Sequence, residues 1–208
     1  MTLLMRLLRR MAKAPHQHRT HDRRGSATGV VKDLFPENYD GEKVIFWDCE
    51  TTGLNANKAR IVSVAFLAKS GRCVSAVGNA EGYILRLIFS VFAGCRDCVF
   101  VGYNTEHFDL PFIRERARFL GFSLERSSIP MRRLDLFEIV NKNIGDRKFL
   151  SLKEACKEYK ADARIRHRGK DVPRLAREGR WSKVLEHNLE DVAATKSLYE
   201  ALIRAGKI

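Results

Sequence analysis

From Lys43 onward the chain alternates short apolar runs with longer amphipathic stretches, and acidic residues stand at the ends of several of them. Lys43 to Trp47, Ile61 to Leu67 and Cys73 to Val77 read as strands, with Gly71 turning the chain between the last two. Three early strands in succession imply a meander. Ala80 to Phe92 reads as a helix, Cys98 to Tyr103 as a buried strand, and His107 to Leu120 as a helix closed by Gly121. Arg133 to Asn141 fits a short strand or a short helix equally well. Ser151 and Glu154 have capping-box spacing and open a helix that runs to about Tyr159. The last helix, Trp181 to Arg204, is the longest. This alternation is that of an α/β protein.

A length of 208 residues suits one domain, and 45% hydrophobic with 30% charged residues excludes collagen-like and wholly disordered chains. The longest apolar run, Tyr83 to Ala93, contains Arg86 and is about half of what a membrane span needs, so no membrane partner is expected. Five cysteines are too few for a disulfide framework, and their odd number argues for reduced thiols and a cytoplasmic protein. Cys95 and Cys98 form a C-x-x-C pair with no second pair to complete a zinc site, which leaves them as small packing residues. The net charge of +13 points to a polyanionic partner, nucleic acid first and an acidic membrane surface second. Residues 1–32 hold eight of the basic residues against Asp22 alone. They read as a disordered basic arm, with residues 41–208 as the folded domain; if the arm is a transit peptide, the compartment is the mitochondrial matrix.

The first strand runs directly into Asp48-Cys49-Glu50-Thr51-Thr52-Gly53, so two carboxylates share one strand face. Such a pair repels itself, and burying it is costly unless a hard divalent cation neutralises it. A second acid, Asp109, follows the strand ending at Tyr103, within Gly102-Tyr103-Asn104-Thr105-Glu106-His107-Phe108-Asp109. On the last helix His187 and Asp191 are four residues apart and face the same way, above an apolar stripe of Ala194, Leu198 and Leu202.

These three segments resemble the motifs of the DEDD superfamily of 3′-to-5′ exonucleases, and the likeness extends over most of Lys43 to Leu202. The resemblance implies a ribonuclease-H-like fold, a mixed central sheet flanked by helices, similar to the proofreading domain of family-B DNA polymerases. It also implies a two-metal hydrolysis of phosphodiester bonds at single-stranded DNA or RNA 3′ ends. Asp48 would contact both ions, Glu50 and Asp191 the water-activating one, and Asp109 the other, mostly through water. Magnesium is the expected ion, with manganese able to substitute. Thr51 would contact the terminal sugar and Leu54 the terminal base, while Asn104 and Phe108 border the cleft, Phe108 also suiting a core position. His107 and Asp135 read as structural. One departure stands out: a histidine, His187, occupies the four-residue spacing before Asp191 where the tyrosine subclass keeps its phenol. An imidazole, titrating near 6.5 in water, can take a proton at neutral pH, so His187 is the candidate base.

Between Arg164 and Lys183 eight basic residues face only Asp171 and Glu178, a segment suited to holding phosphates or to forming a solvated helical face. The competing functions are a ribonuclease-H-like endonuclease or resolvase and a non-catalytic single-strand-binding module.

Overall fold

β1 (Val44–Thr51) alternates its side chains between two cores and thereby sets the layering of the whole molecule. Ile45, Trp47 and Cys49 enter one cluster, with Phe66, Ile84, Ile88, Phe92 and Phe100. Val44 and Phe46 enter the other, with Leu136, Leu189, Val192, Leu198 and Leu202. The computed structural model describes residues 34, 43–123, 129–130, 132–142, 148–166 and 169–208. The basic arm, residues 1–32, lies outside them. Leu34 is fully buried in the first cluster, and its carbonyl accepts a hydrogen bond from Ser70 Oγ at 3.3 Å.

The elements follow in the order β1, β2 (Ile61–Ala68), β3 (Cys73–Val77), α1 (Glu81–Gly94), β4 (Val99–Gly102), α2 (Asp109–Phe119) and β5 (Arg132–Asp135). Then come α3 (Leu136–Asn141), α4 (Leu152–Glu158), a 3-10 turn Gly169–Asp171, α5 (Val172–Arg177) and α6 (Trp181–Arg204). The five strands form one sheet in the order β3-β2-β1-β4-β5. β1, β2 and β3 pair antiparallel, as the meander required, whereas β4 and β5 run parallel to β1. The sheet is therefore mixed, and it is flanked by helices.

Arg133 to Asn141 is ambiguous in sequence because it is both elements: β5 hands over to α3 at Asp135, whose side chain accepts from Phe137 N at 3.0 Å and caps the helix. The capping box at Ser151 and Glu154 forms with both of its reciprocal hydrogen bonds. α5 has no counterpart in the sequence reading. It packs Val172, Leu175 and Ala176 on Val62 of β2 and Val184 of α6.

Cys95 and Cys98 are buried at the start of β4, as expected, but they are not free thiols: the two sulfurs are bonded to each other. The cause is local. Cys98 N donates to Cys95 O at 3.3 Å and closes a turn that leaves the two Cα atoms 5.3 Å apart, within disulfide range. Cys49, Cys73 and Cys156 are free.

One buried ion pair ties α1, α2 and the β1–β2 loop together. Arg116 Nη2 and Nε donate to the Glu81 carboxylate at 2.7 and 2.8 Å, and Arg116 Nη1 donates to Ala56 O at 2.9 Å. Glu81 Oε1 also accepts from Ile61 N at 2.8 Å, so both flanks of the loop are held. Removing one partner of such a pair strands the other charge in the interior. Arg116→Ala is expected to lower stability by about 3 to 5 kcal/mol in urea denaturation. A loss within about 0.5 kcal/mol would show that the pair does not hold the loop.

Candidate active site

The carboxylates reach one place because three elements end or pass there. Asp48 and Glu50 continue the row of Val44 and Phe46 along β1, on the face covered by α6. A register shift between Glu50 and Thr51, where β1 leaves its regular pairing with β2, releases the strand into the loop that follows. Asp109 opens α2, and its Oδ1 accepts from Cys49 N at 3.3 Å, which sets it beside the same strand end. On α6, Ala194, Leu198 and Leu202 are buried on the sheet, and Tyr199 meets Phe46 edge-on at 5.3 Å. That packing turns His187 and Asp191 inward.

His187 is 3% exposed, so it is not a helix-surface histidine. Its Nδ1 lies 2.6 Å from Glu50 Oε1 and 3.6 Å from Asp191 Oδ2. Asn188, which the sequence reading missed, fixes the strand end to the helix: its Nδ2 donates to Asp48 Oδ2 at 2.8 Å and to Asp48 O at 3.1 Å. Asn188 Oδ1 in turn accepts from Ser63 Oγ at 2.8 Å. An asparagine adjacent to a catalytic-looking histidine carries no distinctive sequence signal, because its partners lie 125 and 140 positions away.

Charge is poorly compensated here. Burial, and then Asp109 and Glu50, hold the Asp48 carboxyl well above the ordinary carboxylate range, against the opposing pull of His187 and Asn188. Burial and Asp191 do the same to Glu50. Asp109 is raised by burial and by Glu50, although the hydrogen bond from Cys49 N opposes the shift. Asp191 is pushed up to about 7 by burial and by Asp48. Among the described residues Asp191 Oδ1 is buried and accepts no hydrogen bond. Glu50, His187 and Asp191 each direct one ligand atom to within 4.8 Å of the others. Oxygen-rich, mutually repelling and short of donors, the cluster fits a divalent cation.

The remaining expected site residues are placed less uniformly. Leu54 is 85% exposed on the β1–β2 loop, and Thr51 Oγ1 is turned back on Gly53 O at 2.9 Å. Asn104 sits half-buried in a left-handed conformation, φ 63°, secured by its N–H on Asp135 Oδ1 at 2.7 Å. Gly102, two residues before it, leaves room for the Thr105 side chain, which any Cβ there would run into. Phe108 packs against the first core cluster and Phe112, so its side chain belongs largely to the wall. Asp135 is structural, as expected, accepting from Asn104, Glu106 and Phe137 N–H groups. In the basic segment, Arg166 binds Glu190 and Glu186, Arg174 and Arg180 bind Glu178, and Lys183 binds Glu186. Four cations of the segment are thus paired with three neighbouring acids, on side chains that stay about half exposed to solvent.

A family model described as the RNase_H superfamily matches residues 45–203, from the second residue of β1 to the last but one of α6. The chain belongs to the RNase H superfamily. No curated protein matches it. Among solved structures, the family B DNA polymerase of the hyperthermophilic archaeon Pyrobaculum calidifontis is similar over 78% of this chain and 25% of its own, at 22% identity and a TM-score of 0.67. The chain thus spans a quarter of that polymerase. A structure described as the apo form of a nuclease is similar over 82% of this chain and 77% of its own, at 19% identity and a TM-score of 0.54. Both show the RNase H-like fold. RNase H membership makes this a nuclease-type domain, of a kind that typically works with divalent metals, and the acids lie at the carboxyl end of its central strand. No helix among the described residues is long and apolar enough to cross a membrane.

The raised carboxyls set a pH dependence. In the metal-free fold they hold protons that the unfolded chain releases from about pH 4 upward, so their contribution to stability is present at low pH and is lost as pH rises, for Asp191 through about 7. Asp191→Asn removes one source of repulsion. In chelator it is expected to melt a few degrees above the parent at pH 8, the difference closing by about pH 5. A variant that melts below the parent at pH 8 would show that the carboxylates are compensated within the protein.

Proposed function

We propose that the protein is a metal-dependent 3′-to-5′ exonuclease acting on single-stranded DNA or RNA ends. The observation that carries this reading is the convergence of Asp48, Glu50, Asp109 and Asp191, each raised by burial and by another acid of the group. These four would hold two magnesium ions, with manganese as a substitute. When bound, such a pair neutralises charge at the attacking and departing oxygens of an in-line displacement. His187 would take the proton given up by the attacking water, and the carboxylates of Glu50 and Asp191, 2.6 and 3.6 Å from its Nδ1, would stabilise the imidazolium that results. Asn188 keeps Asp48 in place through the step by its paired hydrogen bonds. The bond to the 3′-oxygen breaks, releasing the terminal nucleotide with its 5′-phosphate and leaving a new 3′-hydroxyl on the strand.

The rim offers a fit for a terminal nucleotide. Leu54, exposed just past the end of β1, would meet the terminal base, and Thr51 and Asn104 would meet the terminal nucleotide's sugar and the edge of the cleft. Phe108 contributes a wall. The described domain together with the basic arm accounts for the polyanion preference that the charge of +13 implies.

Matched DNA and RNA 20-mers labelled at the 5′ end are expected to yield ladders that shorten from the 3′ end with magnesium and to remain whole in excess chelator. A single-stranded circle is expected to stay intact. His187→Ala should lose roughly 10²- to 10⁴-fold in metal-saturated rate, the usual contribution of one positioned base. Cleavage of the circle would indicate an endonuclease. Full turnover in chelator would overturn the metal-dependent reading.

A further inference from the structure

At the ends of β4 and β5 four rings form a cluster of which only Tyr103 also packs against the core. Phe137, the second residue of α3, is at its centre: Tyr103 meets it edge-on at 5.7 Å, His107 at 6.1 Å and Phe149 at 5.3 Å. Phe149 is 60% exposed, and the His107 side chain equally so. The exposed ring is held by its neighbour. Leu150 is pinned on both sides of its peptide, its N–H on Asn141 Oδ1 at 2.9 Å and its carbonyl on Tyr103 OH at 2.6 Å. Phe149 is therefore presented to solvent by a fixed backbone.

Strand register places this cluster relative to the acids. Phe46 is level with Val101, and Gly102 is level with Asp135, so Tyr103 follows directly on the end of β4 beside β1, and α3 follows directly on the end of β5. β4 lies one strand spacing from β1 and β5 two, about 10 Å. Tyr103 packs with the cluster that contains Val44 and Phe46, which is the sheet face carrying Asp48 and Glu50. Lys142 and Lys148 are exposed at the two ends of the segment that leads to Phe149. One acid is present too, Glu138, whose Oε1 lies 3.3 Å from His107 Nε2.

We infer that Phe149, with Phe137 and His107 behind it, is a stacking platform for the bases of a single-stranded nucleic acid whose end lies at the acid cluster. The platform supplies aromatic faces, which take any base, and the two lysines supply attraction to the backbone phosphates. It rests on the nuclease reading only for the polarity of the strand, because the rings and lysines would bind a base-bearing strand whether or not it is cut.

Binding by the full chain is measured in excess chelator, where nothing is cleaved, by fluorescence anisotropy of two labelled single-stranded 12-mers, one with bases and one abasic throughout. The parent protein should prefer the base-bearing strand by about fivefold or more, the effect of at least one stacked base. Phe149→Ala should lose most of that preference while its affinity for the abasic strand is unchanged, and Phe149→Tyr should keep it. Equal affinity of parent and alanine variant for the base-bearing strand overturns the platform. So does an equal loss on both strands, which marks a charge or folding effect, and so does failure of tyrosine to rescue. Cleavage is read separately with magnesium. A parent protein that cuts nothing but retains the Phe149-dependent base preference overturns the exonuclease reading and leaves the platform standing; one that cuts without any base preference does the reverse.

Discussion

Mutual repulsion among four carboxylates, Glu50 and Asp109 buried and Asp48 and Asp191 half-buried, is the constraint around which the rest of the molecule is arranged. Asp48, Glu50, Asp109 and Asp191 are brought together by the packing of a helix on a sheet, and each raises the proton affinity of another. A fold gains nothing in stability from such a group. It is tolerated because the surrounding apolar contacts over-determine the position of every element that carries an acid: Val44, Phe46, Leu198 and Leu202 are all fully buried at the β1–α6 contact. The cluster is a site poised for cations, and the fold supplies the energy that keeps it poised.

Two polar networks refine what the apolar core only approximates. Asn188 joins α6 to the end of β1 and to β2 in one chain of hydrogen bonds, so that Asp48 cannot drift relative to His187 and Asp191. On the opposite face, Glu81 and Arg116 hold both flanks of the loop that carries Leu54. The first network orients the acids and the second sets the rim. Asp135 performs a similar service for the β4–α2 loop, where two backbone N–H groups, of Asn104 and Glu106, converge on its carboxylate and hold Asn104 in its left-handed turn.

What could be read from the sequence was periodic or local. Apolar runs located the strands, the capping box located α4, and the i, i+4 spacing brought His187 and Asp191 to one face. What could not be read depends on partners far apart in the chain. Asn188 is an ordinary helix residue until β1 and β2 are folded beside it, and Glu81 and Arg116 look like surface charges 35 positions apart. α5 was masked by its arginines, though Pro173 at its first turn was a usable start signal. The basic run from Arg164 to Lys183 shows in composition only its charge: counting residues does not reveal which acids the fold sets beside them, and Glu186 and Glu190 come from the last helix. The Cys95–Cys98 bond likewise follows from a turn geometry that an odd cysteine count cannot reveal.

Calorimetric titration of the chelator-stripped protein with manganese at pH 7, repeated in buffers of different ionisation heat, tests the central claim most directly. Two ions per chain should bind with net release of protons, since carboxyls raised above their ordinary range, Asp191 to about 7, must give theirs up when cations replace them. Binding with no buffer dependence, or no binding at millimolar manganese, would contradict a carboxylate cluster poised for metal.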